Sequence, residues 1–388
     1  MNVSPHYLLP GLLALGFLAA APLYATPPDP LPGGIARTLV LAPGDDNPRN
    51  SEGDFVTLDD GRILFVYTHF TGGGGDHDRA VLAARVSEDG GKTWSENDRV
   101  IVADEGGMNV MSVSLLRLDT GPIALFYLRK DSTEDCRPFM RLSRDEGETW
   151  SEAHPCITDP IGYYVVNNNR VVQLDSGRLL IPAARHVLPG ESWTPGKTIV
   201  WRSDDDGKTW QASNVLEPPE PIGRSGLQEP GITPLGDGRL LMLMRTDAGC
   251  QYASYSSDGG ESWQEAEPTG LASPVSPASI APVPETDNEL LLVWNDHRHL
   301  EPDKRSKRTP LTVAISKDAG KTWEHVKNVE DNPDGWYCYT AIHFADAHVL
   351  LGLCAGDRSK TNGLALTEVL RIPLDWLYKP GETIAMAP

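Results

Sequence analysis

Short apolar segments occur in pairs along most of the chain, and a polar turn separates the two members of each pair. In the first pair, at residues 55–67, two apolar runs flank an Asp-Asp-Gly sequence, which is the pattern of a β-hairpin. The same pattern recurs at residues 114–127, 170–182, 231–244, 280–294 and 341–352. The chain is therefore predicted to contain six antiparallel hairpins.

A second pattern, eight residues long and mostly polar, recurs five times between the hairpins. It reads Ser-x-Asp-x-Gly-x-Thr-Trp, with Ser in place of Thr in the fourth copy, and we call it the box. Asp and Ser side chains hydrogen bond to the backbone of tight turns, and Gly permits the positive φ that such turns need. The boxes are therefore predicted to be structural turns. They begin at Ser87, Ser143, Ser203, Ser256 and Ser316, at intervals of 56, 60, 53 and 60 residues.

The even spacing of the boxes predicts one supersecondary unit per repeat. In five of the six units a third apolar segment, such as residues 81–86, leads into the box, and the residues after it can form a fourth strand. This organisation predicts an all-β fold, a six-bladed β-propeller of four-stranded antiparallel blades. The sixth unit lacks a box, so we expect residues 35–41 to supply its outer strand and close the ring. A single propeller domain is predicted for residues 35–388.

The first 25 residues contain no charged side chain and include a mostly apolar run at residues 8–23. This run is shorter than the roughly 20 residues that span a bilayer, and it is typical of a signal peptide, although a basic amino-terminal region is missing. We predict a signal peptide at residues 1–25 and a Pro-rich linker at residues 26–34. The protein is then secreted or periplasmic, without stable membrane insertion. A membrane anchor is the alternative.

The formal net charge of −20 argues against nucleic acid as a partner, because phosphate binding needs clustered Lys and Arg. The five cysteines form no CxxC or CxxH pattern, so a zinc site is not expected. Cys136 and Cys156 form either a disulfide or two buried thiols. No cofactor is predicted. No metal is predicted either, because four histidines expected near one face share no ligand spacing. These are His69, His77, His186 and His297.

The repeat pattern also predicts which residues meet at one face. If the first strand of each hairpin runs from the top of the ring to the bottom, the hairpin turns and the boxes lie at the bottom. Residues that precede first strands, or that connect second and third strands, then surround the axis at the top, where a ligand site is expected. Arginine matches a carboxylate with a planar fork, so several arginines there indicate an anionic substrate. The polar residues at these positions are Glu52, Ser112, Asn168, Glu229 and Tyr339 before first strands, Arg185, Arg245 and Asn295 after second strands, and Asp76 and Arg308 before third strands.

The boxes resemble the Asp-boxes, or BNR repeats, of the sialidase (neuraminidase) superfamily, and the resemblance extends over about residues 45–375. It implies a six-bladed propeller that hydrolyses terminal sialic acid with retention of configuration. In that family three arginines bind the sugar carboxylate, an Asp is the acid/base, and a Tyr nucleophile is paired with a Glu.

By position, the resemblance implies that Arg49, Arg245 and Arg308 bind the carboxylate. Two features depart from the family pattern. The typical Arg-Ile-Pro sequence is here Pro-Arg-Asn, with Arg49 in the middle. The glutamate that usually supports the first arginine, at the end of the sixth hairpin, is missing, because residues 353–355 are Leu-Cys-Ala.

The resemblance further implies that Asp76 is the acid/base and that Tyr339 is the nucleophile, with Glu229 as its base. Asp78 and Tyr337 compete for the first two of these roles. A phenol near its ordinary pKa of about 10 needs a neighbouring base before it can attack. The acid must be protonated to assist the leaving oxygen, so we expect burial to raise the pKa of Asp76.

The sequence thus predicts an exo-α-sialidase whose substrate is a sialylated glycan or another acidic sugar. One alternative is a hydrolase or lyase that acts on a uronate or a sulfated sugar. Another is a propeller that binds carbohydrate without catalysis, because the fold alone does not decide the function.

Overall fold

The computed structural model describes residue 1 and residues 31–386, except residues 104 and 221. The predicted signal peptide from residue 2 onward, and the predicted linker up to residue 30, lie outside the described residues. In the part of the chain that is described, no helix is long and apolar enough to cross a membrane.

Strands are the main regular structure of the described residues, as the paired apolar segments predicted. The first fourteen strands are β1 (Ala36–Leu41), β2 (Arg49–Thr57), β3 (Ile63–Phe70), β4 (Ala80–Ser87), β5 (Arg99–Val102), β6 (Asn109–Arg117), β7 (Ile123–Lys130), β8 (Cys136–Ser143), β9 (His154–Pro155), β10 (Tyr163–Val165), β11 (Val172–Gln173), β12 (Leu179–Val187), β13 (Lys197–Ser203) and β14 (Gln211–Ala212).

The second half of the chain continues in the same way, with one short 3-10 helix and one short α-helix. Its elements are β15 (Gln228–Pro234), β16 (Leu240–Arg245), β17 (Cys250–Ser256), β18 (Glu267–Ala272), β19 (Ser279–Pro282), β20 (Leu290–Trp294), the 3-10 helix (Pro302–Lys304), β21 (Leu311–Ser316), β22 (Thr322–Glu330), β23 (Gly335–Ala345), β24 (His348–Asp357), β25 (Thr367–Pro373), α1 (Leu374–Leu377) and β26 (Glu382–Ala385).

The strands form a propeller-like arrangement of antiparallel sheets. Three sheets have four strands, in the orders β2-β3-β4-β5, β15-β16-β17-β18 and β1-β25-β24-β23. A fourth sheet, β19-β20-β21-β22-β26, has five strands because β26 adds to its outer edge. Neighbouring sheets pack through apolar side chains, as where Val56 and Leu64 of one sheet share a core cluster with Leu115 and Leu125 of the next.

The fifth sheet has nine strands and contradicts the prediction of six separate four-stranded blades. It contains the second and third predicted hairpin units, which β10 joins into one sheet. Tyr163 of β10 pairs in parallel with Cys136 of β8, and β10 also pairs antiparallel with β12. The described residues therefore form four sheets of blade size and one larger sheet, because three residues outside any hairpin connect two units.

The predicted closure by the amino-terminal segment is confirmed. Strand β1 pairs antiparallel with β25, from Ala36 opposite Arg371 to Leu41 opposite Thr367. On β1, Arg37 forms ion pairs with the carboxylates of Glu330 and Glu368. These ion pairs tie the first strand of the domain to β22 and β25.

The prediction that the boxes are structural turns is also confirmed. In the first box Ser87 Oγ accepts a hydrogen bond from the Gly91 amide at 2.9 Å, and Asp89 Oδ1 accepts one from the Thr93 amide at 2.9 Å. The same two bonds occur in the other four boxes. Burial raises the pKa of Asp89, but hydrogen bonds from Thr93 and Ser87 outweigh it and lower the pKa to about 2.

Candidate active site

The first strand of several hairpins contains a β-bulge at which a non-glycine residue has a positive φ. In β2 the pairing register shifts between Ser51 and Asp54, and Glu52 has a φ of 55°. Such φ values are uncommon outside glycine and concentrate at functional sites, and a bulge re-aims the side chain that it contains. The equivalent residues are Ser112 (59°), Asn169 (55°), Glu229 (44°) and Tyr339 (57°).

These positions correspond to the predicted strand starts, with one shift. In the third unit the residue with positive φ is Asn169, whereas counting from the turn predicted Asn168. The Asn168 side chain instead donates hydrogen bonds to the backbone carbonyls of Gly53 and Tyr339, at 2.8 and 2.9 Å. Asn168 therefore links inner strands of different sheets near the axis.

Four of these five residues, Glu52, Ser112, Glu229 and Tyr339, line one cavity of about 420 Å³, whereas Asn169 does not. Five of the six predicted site residues line it, namely Asp76, Glu229, Arg245, Arg308 and Tyr339. The sixth, Arg49, does not line the cavity but donates a hydrogen bond to Asp76, which does. The structure thus brings all six predicted residues together, whereas Arg185 and Asn295, also predicted at this face, do not line the cavity.

Arg49 is almost completely buried and binds Asp76. Its Nη1 donates to Asp76 Oδ1 at 2.6 Å, its Nε donates to Ser51 Oγ at 3.0 Å, and its guanidinium lies 4.4 Å from the centre of the Phe70 ring. The remaining nitrogen, Nη2, lies 3.7 Å from Glu52 Oε2 and has no hydrogen-bond partner among the described residues.

Asp76 lies at the rim of the cavity with 60% of its side chain exposed. Its backbone carbonyl accepts hydrogen bonds from Lys130 Nζ at 2.5 Å and from Asn109 Nδ2 at 3.0 Å. Partial burial raises the pKa of Asp76, but the charge and hydrogen bond of Arg49 outweigh it and lower the pKa below its ordinary value. The expectation of a raised pKa is therefore wrong for this protein, because the sequence did not reveal the ion pair with Arg49.

The structure separates the two candidate aspartates and the two candidate tyrosines. Asp78 accepts a hydrogen bond from the Gly75 amide at 2.8 Å, so it stabilises its own loop, and only Asp76 lines the cavity. The Tyr337 hydroxyl donates to Glu330 at 3.5 Å, and Tyr337 does not line the cavity. Tyr339 lines it.

Tyr339 is buried beside Arg308, whose guanidinium lies 5.2 Å from the centre of the phenol ring. Burial and the charge of Glu229 raise the pKa of Tyr339, although Arg308 and Arg245 oppose them. Glu229 Oε2 accepts a hydrogen bond from Arg245 Nη1 at 2.7 Å. The charge of the Glu229 carboxylate, which is hydrogen-bonded to Arg245, thus helps to keep the phenol of Tyr339 protonated.

Two charged residues of the cavity were not assigned a role from the sequence. Glu52 is buried and lines the cavity, and burial raises its pKa to about 7. Lys130 is the last residue of β7 and is buried beside the ring of Tyr163, with Nζ 5.5 Å from the ring centre. The end of a second strand, where Arg245 lies in the fourth unit, was the signal that could have identified Lys130.

The charges of the site almost balance. Four cations, Arg49, Lys130, Arg245 and Arg308, lie against three carboxylates, so one positive charge is in excess when all are ionised. In addition, Arg49 Nη2, Arg245 Nε and Arg308 Nη1 are buried and lack hydrogen-bond partners within the described ranges. The cavity is therefore suited to a ligand with one negative charge and several acceptor atoms.

The histidines and cysteines near the site have structural surroundings. His186 stacks on Trp193 with ring centres 4.4 Å apart, and its Nδ1 lies 2.9 Å from the carbonyl of Thr194. Cys136 and Cys156 are buried free thiols, so the disulfide considered for them is not formed. Within residues 31–386, apart from 104 and 221, no group of three His, Cys, Asp or Glu residues is arranged to hold a metal ion.

Residues 97–350 match the family model of the BNR repeat-like domain. The chain belongs to the BNR-repeat, sialidase superfamily. Its similarity to this superfamily therefore agrees with the five boxes, which the sequence showed as a repeat and the structure shows as turns.

Curated relatives of this BNR-repeat protein include two bacterial sialidases. It is 25% identical to a sialidase of Bacteroides fragilis over 74% of this chain and 57% of that protein. It is 26% identical to a sialidase of Micromonospora viridifaciens over 90% of this chain and 60% of that protein. The BNR-repeat chain thus spans less than two thirds of the length of these relatives.

Among solved structures, the BNR-repeat protein is similar to a sialidase from Streptococcus pneumoniae. The TM-score is 0.68 at 15% identity, and the match covers 88% of this chain and 71% of that chain. At this identity the similarity concerns the fold, which is the propeller arrangement of the sialidase neighbours.

Proposed function

We propose that this protein is a sialidase-like glycoside hydrolase, an exo-α-sialidase that removes terminal α-linked sialic acid from glycoconjugates. The observation that carries the proposal is the convergence of two buried arginines and one partly buried arginine with a tyrosine, a glutamate and an aspartate around one cavity. The named activity of the curated relatives supports the same class of reaction.

The arginines account for an acidic substrate. A buried N–H group without an acceptor costs about 1–3 kcal/mol, so Arg49 Nη2, Arg245 Nε and Arg308 Nη1 favour a ligand that brings acceptors. A carboxylate offers two oxygens in the plane that a guanidinium fork requires. A uronate carries the same single charge, so the charge balance favours any monoanionic sugar, and the relatives favour sialic acid.

Tyr339 is the proposed nucleophile and Glu229 its base. A carboxylate nucleophile would repel an anionic sugar, whereas a neutral phenol does not. The raised pKa keeps the phenol of Tyr339 protonated until it attacks, and Glu229 then takes the proton. The phenolic oxygen displaces the leaving oxygen from the anomeric carbon, and water then displaces the phenolic oxygen, which recovers its proton from Glu229. Each displacement inverts the configuration, so the configuration is retained overall.

Asp76 is the proposed acid/base, and its ion pair with Arg49 suggests how substrate prepares it. In the free protein Arg49 keeps Asp76 ionised. A substrate carboxylate that binds Arg49 competes with Asp76 and covers it from solvent, and both effects raise its pKa. Asp76 then protonates the leaving oxygen and afterwards accepts a proton from the attacking water.

Two further proposals concern architecture and location. The nine-stranded sheet contains two hairpin units, and we infer that each is one blade, which gives a six-bladed propeller. The apolar, uncharged amino-terminal segment supports export by a signal peptide at residues 1–25, to the periplasm or the medium.

The test is release of a fluorophore from an α-linked aryl glycoside of N-acetylneuraminic acid by the purified protein, with proton NMR of the first sugar product. We expect release, and the α-anomer as the first product. Release only from an aryl uronide would reassign the substrate to another acidic sugar. Binding of acidic sugar without release from either glycoside would make the protein a carbohydrate-binding propeller.

A further inference from the structure

Glu52 and Arg49 form an incomplete buried pair. Glu52 Oε2 and Arg49 Nη2 are 3.7 Å apart, which is too long for a hydrogen bond, and neither atom has another partner in the described part of the chain. A buried carboxylate that lacks a donor is costly. Each of the two groups therefore retains the capacity to bind a third group.

The backbone of β2 is built to bring Glu52 to the cavity. Glu52 lies in the bulge with a φ of 55°, a conformation that glycine adopts more easily than glutamate. The next residue must be Gly53, because a Cβ there would lie 2.5 Å from a ring carbon of Phe65. Strained backbone and a close approach at consecutive residues indicate that the position of the Glu52 side chain is specified.

The sixth hairpin provides no glutamate beside Arg49. The resemblance implied a glutamate beside the first arginine at residues 353–355, where the structure has Cys354 directly opposite Cys338. Leu353, Cys354 and Ala355 therefore provide no carboxylate for Arg49. Glu52 therefore supplies, from β2, the only other carboxylate besides Asp76 that is paired with Arg49 in the described residues.

Charged and titratable groups from several elements face Glu52. Burial raises its pKa to about 7; Asp76 and Glu229 also raise it, and Arg49 and Lys130 oppose them. At neutral pH roughly half of the free protein therefore carries a proton on Glu52. The facing groups are Arg49 on β2, Asp76 in the β3–β4 connection, Lys130 on β7, Cys136 on β8, Tyr163 on β10, Glu229 on β15 and Cys354 on β24.

We propose that Glu52 is a specificity-determining residue of this cavity: its carboxyl shares Arg49 with the acidic group of the sugar and takes up one proton when that group binds. This inference rests on the proposed acidic-sugar ligand. The proton comes from the solvent, and Glu52 changes from carboxylate to carboxylic acid. The ligand brings one negative charge and the proton one positive charge, so the net charge of the cavity is unchanged.

The consequence is a preference that depends on pH. Ionised Glu52 repels the ligand carboxylate and competes with it for the charge of Arg49, whereas protonated Glu52 does neither and has an O–H to donate. Affinity for an acidic sugar therefore falls as Glu52 ionises, by about tenfold between pH 6 and pH 8 when one proton is linked to binding. A neutral sugar has no carboxylate that ionised Glu52 could repel, so its affinity does not depend on Glu52 in this way.

The experiment is titration calorimetry of the full chain with the unsaturated sialic acid analogue 2-deoxy-2,3-didehydro-N-acetylneuraminic acid, in buffers with different ionisation enthalpies. The dependence of the heat on the buffer gives the number of protons taken up. We expect Glu52 to account for about half a proton at pH 7 and nearly one at pH 8, measured as the difference in uptake between the wild type and Glu52→Gln. Uptake that remains in the variant is that of Asp76, whose pKa the ligand also raises.

Glu368→Gln is the matched control. Glu368 is also buried beside an arginine, Arg37, and burial raises its pKa to about 7, but it does not line the cavity. This variant should keep the proton uptake of the wild type. If Glu52→Gln does not fold, the absence of proton uptake by the wild type still overturns the role of Glu52.

The outcomes separate this inference from the proposed function. Binding of the analogue without proton uptake, or equal uptake in Glu52→Gln, overturns the role of Glu52 and leaves the sialidase proposal intact. Failure of the analogue, with binding of glucuronate and proton uptake that Glu52→Gln removes, overturns the sialic acid assignment and supports the role of Glu52. Binding of neither acidic sugar by the folded protein overturns both.

Discussion

The two ends of the sheets use the same residue types in opposite ways. At the box end, five aspartates accept the same backbone hydrogen bond in five copies of one turn. At the cavity end, four bulged first strands present four different side chains, namely Glu52, Ser112, Glu229 and Tyr339. The box end repeats one turn five times, whereas the cavity end forms one site from side chains that differ between units.

The hydrogen bonding and the pKa values follow the same division. Hydrogen bonds within the boxes lower the pKa of Asp89 and Asp258 to about 2, although burial raises it. At the cavity end burial raises the pKa of Glu52 to about 7, and three arginines keep unpartnered nitrogens within the described residues. The Ser and Asp side chains of the boxes satisfy the backbone amides of their own turns, while the cavity leaves arginine nitrogens for a ligand.

The largest effect is expected from Tyr339→Phe, which removes the proposed nucleophile and little else. We expect kcat/KM on an aryl sialoside to fall by at least about a thousandfold. Tyr337→Phe is the matched control, because Tyr337 lies two residues away, makes one long hydrogen bond to Glu330 and does not line the cavity. Its activity should stay within about threefold of the wild type. Equal losses in the two variants would contradict the assignment.

A smaller effect is expected from Arg308→Lys, which keeps the charge but removes the planar fork. Arg308 has one buried nitrogen without a partner among the described residues and lies against the rings of Trp336 and Tyr339. We expect kcat/KM to fall by about a hundredfold, mostly through KM. Arg239→Lys, at an exposed hairpin turn beside Asp237, is the control and should have no effect on activity. A lysine that preserves KM at position 308 would remove Arg308 from the carboxylate site.

The box end of the sheets could be predicted from the sequence more completely than the cavity end. The hairpins and boxes were predictable because each depends on residues close in the chain and the pattern repeats. Counting from the turns placed Glu52, Glu229 and Tyr339 correctly and missed Asn169 by one residue. The nine-stranded sheet was missed because β10, three residues long, carries no hairpin pattern.

The chemistry of single groups at the cavity was less predictable. The lowered pKa of Asp76 depends on a 2.6 Å contact with Arg49, from a strand 27 residues earlier in the chain. Lys130 was missed because its cavity contacts, to Asp76 and Tyr163, come from other segments. Sequence identifies which residue types reach the cavity, but distances between strands decide which of them pair.

The buried carboxyl groups with raised pKa values and the box aspartates with lowered pKa values should make stability depend on pH in opposite directions. Burial raises the pKa of Glu52, Asp54 and Glu368 to about 7 in the folded protein. A group with a raised pKa contributes stability below its unfolded pKa of about 4, and this contribution is lost as the pH rises through about 7. We expect the free energy of unfolding, measured in urea, to fall between pH 5 and pH 8 by more than about 1.4 kcal/mol, the value of one pKa unit in one group.

The box aspartates act in the opposite direction at lower pH. Their lowered pKa contributes stability above about pH 4, which is lost as the pH falls through about 2. Maximal stability is therefore expected near pH 4 to 5. Glu368→Gln should flatten the decline above pH 5 without changing the acid limb. Stability that rises steadily from pH 5 to pH 8 would contradict the raised pKa values.

The smallest effect is expected from removal of one box carboxylate. In Asp89→Ala the amides of Lys92 and Thr93 and the Thr93 hydroxyl lose their acceptor, at an exposed turn where water replaces it in part. We expect the free energy of unfolding to fall by about 1 kcal/mol, and kcat/KM to stay within experimental error. Because Ser87 pairs with Ile63 at the end of β4, and Ala80 at the other end with Phe70, the box is separated from the cavity by the length of the strand. A loss of activity without a loss of stability would mean that the boxes take part in the chemistry, and the division between a repeated scaffold and a varied site would fail.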